Sequence, residues 1–155
     1  MSEHFEIRAL NVREVDHIMP VMTCAFDSDF NEAWSRDQVI GALIMPGTRL
    51  ISVDHENISH GFALTRTVLD ECELLLIGVS PEMRGQGLGR QLIKYVMIEA
   101  RVAGVRKLFL EVRITNSALA FYKQLHFTVI GERPNYYVSK CGERLNALTM
   151  GVDMG

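Results

Sequence analysis

Cysteine is scarce: Cys24, Cys72 and Cys141 are the only three in 155 residues, far apart and without a Cys-x-x-Cys pair. An odd, scattered set excludes a disulfide framework and offers no zinc site, so buried or idle thiols are expected. The five histidines are also dispersed, and none stands at ligand spacing from Cys, Asp or Glu. No metal is expected. No apolar run approaches the ~20 residues that a membrane span requires. The opening residues, MSEHFEIRAL, lack the basic stretch and apolar core of a secretory leader. A cytoplasmic protein without a membrane partner is the expectation. A Lys/Arg-rich face is missing too: the net charge is −3, which argues against nucleic acid as a direct partner and is mildly compatible with a basic peptide. No repeat, low-complexity tract or linker divides the chain, and with 48% hydrophobic residues it has the material for one globular domain over residues 1–155.

What is present centres on residues 74–98, LLLIGVSPEMRGQGLGRQLIKYVMI. Residues 74–79 read as a buried strand, and the Gly78 inside it marks a bulge or the close approach of another backbone or ligand. After Arg84-Gly85-Gln86-Gly87-Leu88-Gly89, the apolar positions Leu88, Leu92, Ile93, Tyr95, Val96 and Ile98 follow helical spacing. The glycines therefore sit at a helix N-terminus. Unpaired N–H groups and a partial positive charge gather there, glycines admit a phosphate to the backbone, and Arg84 and Arg90 can add charge. This stretch has the chemistry of a pyrophosphate cradle.

Spacing narrows the ligand. A P-loop needs Gly-Lys-Ser/Thr, and none follows. A Rossmann fingerprint needs a small residue where Leu92 stands, although Glu111 lies near the place of a ribose-binding acid. A glycine turn without any ligand is the remaining alternative, at a cost in backbone entropy.

Arg84-x-x-Gly87-x-Gly89 after an apolar strand resembles the acetyl-CoA motif of the GNAT N-acetyltransferase superfamily. The resemblance continues through Leu110-Glu111-Val112-Arg113, Asn116, Phe121-Tyr122 and Leu125-His126-Phe127. With Arg133-Pro134-Asn135-Tyr136-Tyr137 it looks like the branch that acetylates the N-terminal alanine of ribosomal protein S18. It covers residues 62–150, over half the chain. It implies the single-domain GNAT fold, an α/β architecture with a mixed, mostly antiparallel sheet and helices on both faces, and acetyl-CoA as cosubstrate.

Taken in order, residues 4–10 alternate as a first strand. Asn11 can cap a helix with Val15, Ile18, Met19 and Met22 facing inward, kinked or ended by Pro20, and residues 24–33 read as a loop. Ser35 caps a second helix with Val39, Leu43 and Ile44 on its apolar side, and Pro46-Gly47 stops it. Residues 48–53 and 59–68 form antiparallel strands around a turn at 54–57. Residues 107–113 form a strand with Leu108, Leu110 and Val112 on one face, and a short helix starts at Asn116-Ser117. Residues 127–131 and 147–152 pair last, around a connection over 132–146.

Acetyl transfer from a thioester to an amine needs a neutral amine and a proton for the departing thiolate. An α-amino group, pKa ~7.7–8.0, needs less help than a lysine at ~10.4, so one carboxylate, acting directly or through water, suffices. Glu111 is the candidate base; otherwise it is a strand carboxylate paired with Arg113. The resemblance makes Tyr122 the acid, the alternative being a half-buried aromatic. The stretch from Asn116 to Tyr122 is one residue shorter than in the family, and one residue turns a helix face by ~100°. His126 stands where the family has Gly. Asn116 is similar to the residue that holds the cofactor arm and can also cap its helix. Ile77, Gly78 and Val79 are expected to meet the pantetheine through their backbone, beside Arg84, Gly85, Gln86, Gly87, Leu88, Gly89 and Arg90 on the diphosphate. Trp34 is either an acceptor-groove wall or core packing; Tyr136 and Tyr137 either overhang the acceptor or form a satellite cluster. Asn146 replaces an acidic residue common in the branch.

The resulting expectation is an acetyl-CoA-dependent N-terminal acetyltransferase acting by direct transfer in a ternary complex, with ribosomal protein S18 as favoured acceptor. A small-amine acetyltransferase of the same fold and a non-catalytic acetyl-CoA sensor are the rivals.

Overall fold

The computed structural model describes residues 4–155. Seven strands form one sheet in the order β1-β2-β3-β4-β5-β7-β6. They are β1 (Glu6–Leu10), β2 (Thr48–His55), β3 (Ile58–Val68), β4 (Glu71–Val79), β5 (Lys107–Arg113), β6 (Thr128–Val138) and β7 (Arg144–Asp153). Every neighbouring pair is antiparallel except β4 with β5. Helices α1 (Met19–Ala25) and α2 (Arg36–Leu43) cover one face; α3 (Leu88–Val102) and α4 (Ala118–Gln124) cover the other. The expected mixed α/β sheet with helices on both faces is what the chain forms.

Alternation supplies both faces. Leu50, Phe62, Leu64 and Leu76 pack beneath α1 and α2, whereas Ile51, Val53, Ala63 and Leu74 pack beneath α3. Leu74 and Leu76 face opposite sides because β4 carries an extra residue: Leu64 pairs with Leu76 and Thr65 with Leu74, leaving Leu75 as a bulge. Such an insertion bends the strand and shifts its side-chain phase. Gly78 is therefore not the bulge, and of the two readings offered for it a close approach is what the strand shows here. A Cβ on Gly78 would lie 3.0 Å from the Ala25 side chain and 3.1 Å from the Phe62 ring, so Gly78 lets the end of α1 press against the sheet.

The bulge has a consequence on the other edge. β4 pairs with β5 only over Glu71–Glu73 against Lys107–Phe109. Beyond that point the strands separate, leaving the β4 edge toward Val79 without a strand partner.

Several local signals act as read. Ser35 caps α2 through a reciprocal box with Gln38. Glu56 and Asn57 take φ of 51° and 64°, as a tight hairpin between β2 and β3 requires. Others differ. The helix expected after Asn11 is a 3-10 segment, Val12–His17, capped by Asn11 and Glu14; a new helix starts at Met19, with Pro20 in the first turn where its missing N–H costs nothing. The loop over 24–33 includes the end of α1 and a 3-10 turn at Ser28–Phe30. Ile44 and Ile98, expected inward, are 71% and 60% exposed: Ile44 is the C-cap beyond α2, and Ile98 falls off the stripe Leu88, Leu92, Ile93, Val96 and Ala100 that α3 buries. The final strands are longer than expected, and residues 134–136 form a bulge in β6, not part of a loop, because Arg133 pairs with Ala147 and Tyr137 with Leu145. Asn146, opposite the bulge, accepts from the Asn135 amide at 3.0 Å and donates to Glu132 at 2.8 Å.

His126 occupies the left-handed position, φ 71°, that ends α4. Its amide donates to Lys123 O, and Phe127 N donates to Tyr122 O at 3.1 Å, the paired bonds of a Schellman cap. The Phe127 ring then packs on Tyr122 with centroids 5.7 Å apart. A non-glycine residue in this conformation costs on the order of 1 kcal/mol. His126→Gly is expected to raise thermal stability by about that amount, measured by calorimetric melting; a lower melting temperature would show that the imidazole stabilises the cap.

Candidate active site

The divergence of β4 from β5 opens a cleft of about 1220 Å³. Its lower wall is the turn before α3. Gly85 and Gly87 take φ of 81° and 80°, a conformation that glycine adopts without strain. Gly89 is helical, and a Cβ there would only touch the Phe121 ring at 3.5 Å. Gly87 caps α3 with no side-chain bond. Among the described residues, the amides of Gly85, Gln86, Gly87, Leu88, Gly89 and Arg90 have no protein acceptor. They form a positive concavity at a helix N-terminus, suited to a diphosphate. Gly85, Gly87, Leu88, Gly89, Arg84 and Arg90 all line the cleft, as do Ile77, Gly78 and Val79 on its upper wall. Two side chains of the turn make contacts of their own. The Gln86 side chain does not line the cleft; its amide lies 3.9 Å from Met83 Sδ. The Arg84 guanidinium donates to Ala25 O at 2.6 Å, so it ties the turn to the end of α1.

Asn116, the residue before the N-cap Ser117, accepts through Oδ1 from Ala118 N at 2.9 Å and so satisfies the first amide of α4. Its amide nitrogen makes no hydrogen bond to the described residues, and the residue lines the cleft. Both roles read from the sequence are sterically available together.

At the far end, Glu111, Tyr122, Trp34, Tyr136 and Tyr137 meet in the same cleft. A tight turn, with Asn116 N bonded to Arg113 O at 2.8 Å, leads from β5 into α4, and Tyr122 on that helix lines the cleft. Tyr122 is 7% exposed; burial, then the nearby Tyr137 and Glu32, pushes its hydroxyl well above the usual phenol range. Burial, then Glu32, also pushes Tyr137 up to about 12. Both phenols keep their protons at neutral pH. Trp34 is half-buried, packs with the α1 and α2 core and faces the cleft at once. Tyr136 is 50% exposed and meets Tyr137 edge-on, centroids 5.1 Å apart.

Glu111 does not pair with Arg113. Its Oε1 lies 2.8 Å from Arg133 Nε, while Arg113, 6% exposed, turns to the α1–α2 loop. There it meets Glu32 at 2.5 Å and Asp27 at 3.8 Å, stacks 3.9 Å from the Phe30 centroid and bonds Thr115. A lone same-strand neighbour two residues away gave the sequence reading Glu111 with Arg113; cross-strand and loop partners carry no local signal. Glu32, and the pairing of Arg113 with Glu32 and of Arg133 with Glu111, were missed for that reason. Lys140 N, at the tip of the β6–β7 hairpin, donates to Asp29 O at 2.9 Å and links the hairpin to the same loop. Among the described residues, no group of three or more His, Cys, Asp or Glu side chains is clustered to hold a metal.

Comparison with known proteins agrees with this architecture. Residues 15–127 match the model of the acetyltransferase (GNAT) family. The ribosomal protein bS18-alanine N-acetyltransferase of Haemophilus influenzae is 40% identical over 90 residues, 58% of this chain. The matched stretch spans about 62% of that relative's length. The crystal structure of the Escherichia coli ribosomal-protein-S18-alanine N-acetyltransferase superposes with a TM-score of 0.89 at 29% identity, over 98% of this chain and 95% of that one. A Salmonella typhimurium protein solved with its cofactor acetyl-CoA has the same fold, TM-score 0.79 at 21% identity, covering 98% and 95% of the two chains. With the glycine turn, the parted strands and the model match all falling within one stretch, the chain belongs to the acetyltransferase (GNAT) family.

Proposed function

We propose that this chain is a cytoplasmic, acetyl-CoA-dependent N-terminal acetyltransferase, one catalytic domain over residues 1–155, whose favoured acceptor is the N-terminal alanine of ribosomal protein bS18. The observation that carries the reading is the set of unpartnered amides from Gly85 to Arg90, in one cleft with Glu111 and Tyr122. The amides receive the diphosphate, and the free edge of β4 at Ile77, Gly78 and Val79 receives the pantetheine amides as an added strand would. The thioester then lies where β4 and β5 part.

The acceptor amine enters from the side of Trp34, Tyr136 and Tyr137. Glu111, directly or through a water, takes a proton from the attacking nitrogen. The C–N bond forms, the C–S bond breaks, and Tyr122 gives its proton to the leaving thiolate. Tyr122, held in its neutral form by burial, is a proton donor at neutral pH. A non-catalytic sensor would need neither residue in the cleft. At the acceptor end Arg113 is shared by Glu32 and Asp27, and Arg133 pairs with Glu111. The small surplus of negative charge suits a single terminal amine better than a polycationic small molecule.

The reading is tested by incubating the protein with acetyl-CoA and a peptide beginning Ala-Arg-Tyr, with mass spectrometry of the product. One acetyl group on the N-terminus, and none on the same peptide with a blocked N-terminus, is expected. Turnover with small amines but with no peptide would overturn it.

A further inference from the structure

We infer that Arg133 is a positioning residue for Glu111, holding the carboxylate so that only one of its oxygens faces the acceptor amine; this rests on the base role proposed for Glu111. Arg133 Nε lies 2.8 Å from Glu111 Oε1, and Arg133 itself does not line the cleft that Glu111 faces. The guanidinium therefore approaches the carboxylate from the β6 side, away from the acceptor. Among the described side chains this ion pair is the one close polar contact of the Glu111 carboxylate, so its orientation depends on it.

Arg133 is well placed for such a role. Ala147 pairs with Arg113 on one side and with Arg133 on the other, which puts both arginines on the sheet face that Glu111 shares. Arg133 stands immediately before the bulge at residues 134–136, and Asn146 clamps that bulge through Asn135 and Glu132. The Tyr136 ring, brought back by the bulge, lies 5.5 Å from the guanidinium carbon, within cation–π range. Arg133 is thus steadied by a ring that itself lines the acceptor end. The Arg133 side chain is 60% exposed, so as a stabilising ion pair it is worth little. Its effect falls on geometry: a base displaced by about 1 Å can lose ~100-fold in rate.

Such a residue acts only through its partner, which a double-mutant cycle detects. Arg133→Ala is expected to lower kcat about tenfold, with the KM for acetyl-CoA and the melting temperature unchanged, and Arg133→Lys, which keeps the charge, to recover part of the loss. In a Glu111→Gln background the Arg133→Ala substitution is expected to have no further effect. An equal additional loss in that background, or wild-type kcat in Arg133→Ala while Glu111→Gln is impaired, would overturn the positioning role alone. Wild-type turnover in Glu111→Gln would remove the base, and the positioning role with it.

Discussion

Glu111→Gln is expected to lower kcat for a peptide acceptor about 100-fold at pH 7, with little change in acetyl-CoA affinity. General-base catalysis contributes ~10²–10⁴-fold, and the lower end applies because an α-amino group of pKa ~7.7–8.0 already has roughly a tenth of its molecules neutral at that pH. The same reasoning fixes a pH dependence. As pH rises through the amine's own pKa, the substrate deprotonates without help, so the deficit of the variant is expected to shrink toward pH 9. Steady-state rates from pH 6.5 to 9 check both points. A variant as fast as wild type at pH 7 would take Glu111 out of the mechanism. The substitution is isosteric and its ion-pair partner is exposed, so loss of fold does not account for the expected change.

Asp54→Ala is expected to destabilise the fold by about 3 kcal/mol, the lower part of the range for breaking a buried charge network. Asp54 is 4% exposed on β2. It accepts from Ser52 at 2.5 Å and from Arg8 at 2.9 Å, and lies 3.0 Å from His17. Ser52 in turn bonds Ser59. The network ties β1, the 3-10 segment before α1, β2 and β3 together, and removing its central acceptor leaves His17 without this partner, while Arg8 keeps Glu14 and Ser52 keeps Ser59. Burial pushes the Asp54 carboxyl up, but the bonds from Ser52, Arg8 and His17 outweigh it and hold the group below the usual carboxylate range. A carboxyl depressed in the folded state contributes stability above its ordinary pKa of ~3.9, and that contribution is lost as pH falls through the lower folded value. Wild-type protein should therefore lose more stability on acidification than Asp54→Ala, which keeps the depressed Glu14 but not this group. In a domain of this size the variant should melt roughly 6–12 °C lower at neutral pH. An unchanged melting temperature would mean the network is solvated and contributes little.

The parts of this molecule that were legible in sequence are those where one residue fixes one backbone choice. Ser35 with Gln38, the pair Glu56-Asn57 and the glycines at 85 and 87 are local solutions to capping or to positive φ. The helical stripe of α3 was visible as far as Val96 for the same reason. What could not be read depends on partners distant in sequence. The Leu75 bulge, which parts β4 from β5 and so creates the cleft, leaves Leu74 and Leu75 in an unbroken apolar run. The alternative reading of Glu111 paired it with its neighbour Arg113, whereas Arg113 is buried against a loop some eighty residues earlier in the chain. Glu111 in turn finds its cation on β6. The 3-10 form of Val12–His17 has the same capping signal as an α-helix, and only Pro20 hinted that the turn could not continue.

Everything proposed for the chemistry presumes that the amides between Gly85 and Arg90 bind the diphosphate of acetyl-CoA. Isothermal titration of the purified protein with acetyl-CoA tests this directly. One-to-one binding that is weakened by Gly87→Val, which combines a strained backbone with a side chain in the cradle, is the result expected. Saturating acetyl-CoA that produces no binding heat and no rise in melting temperature would contradict it.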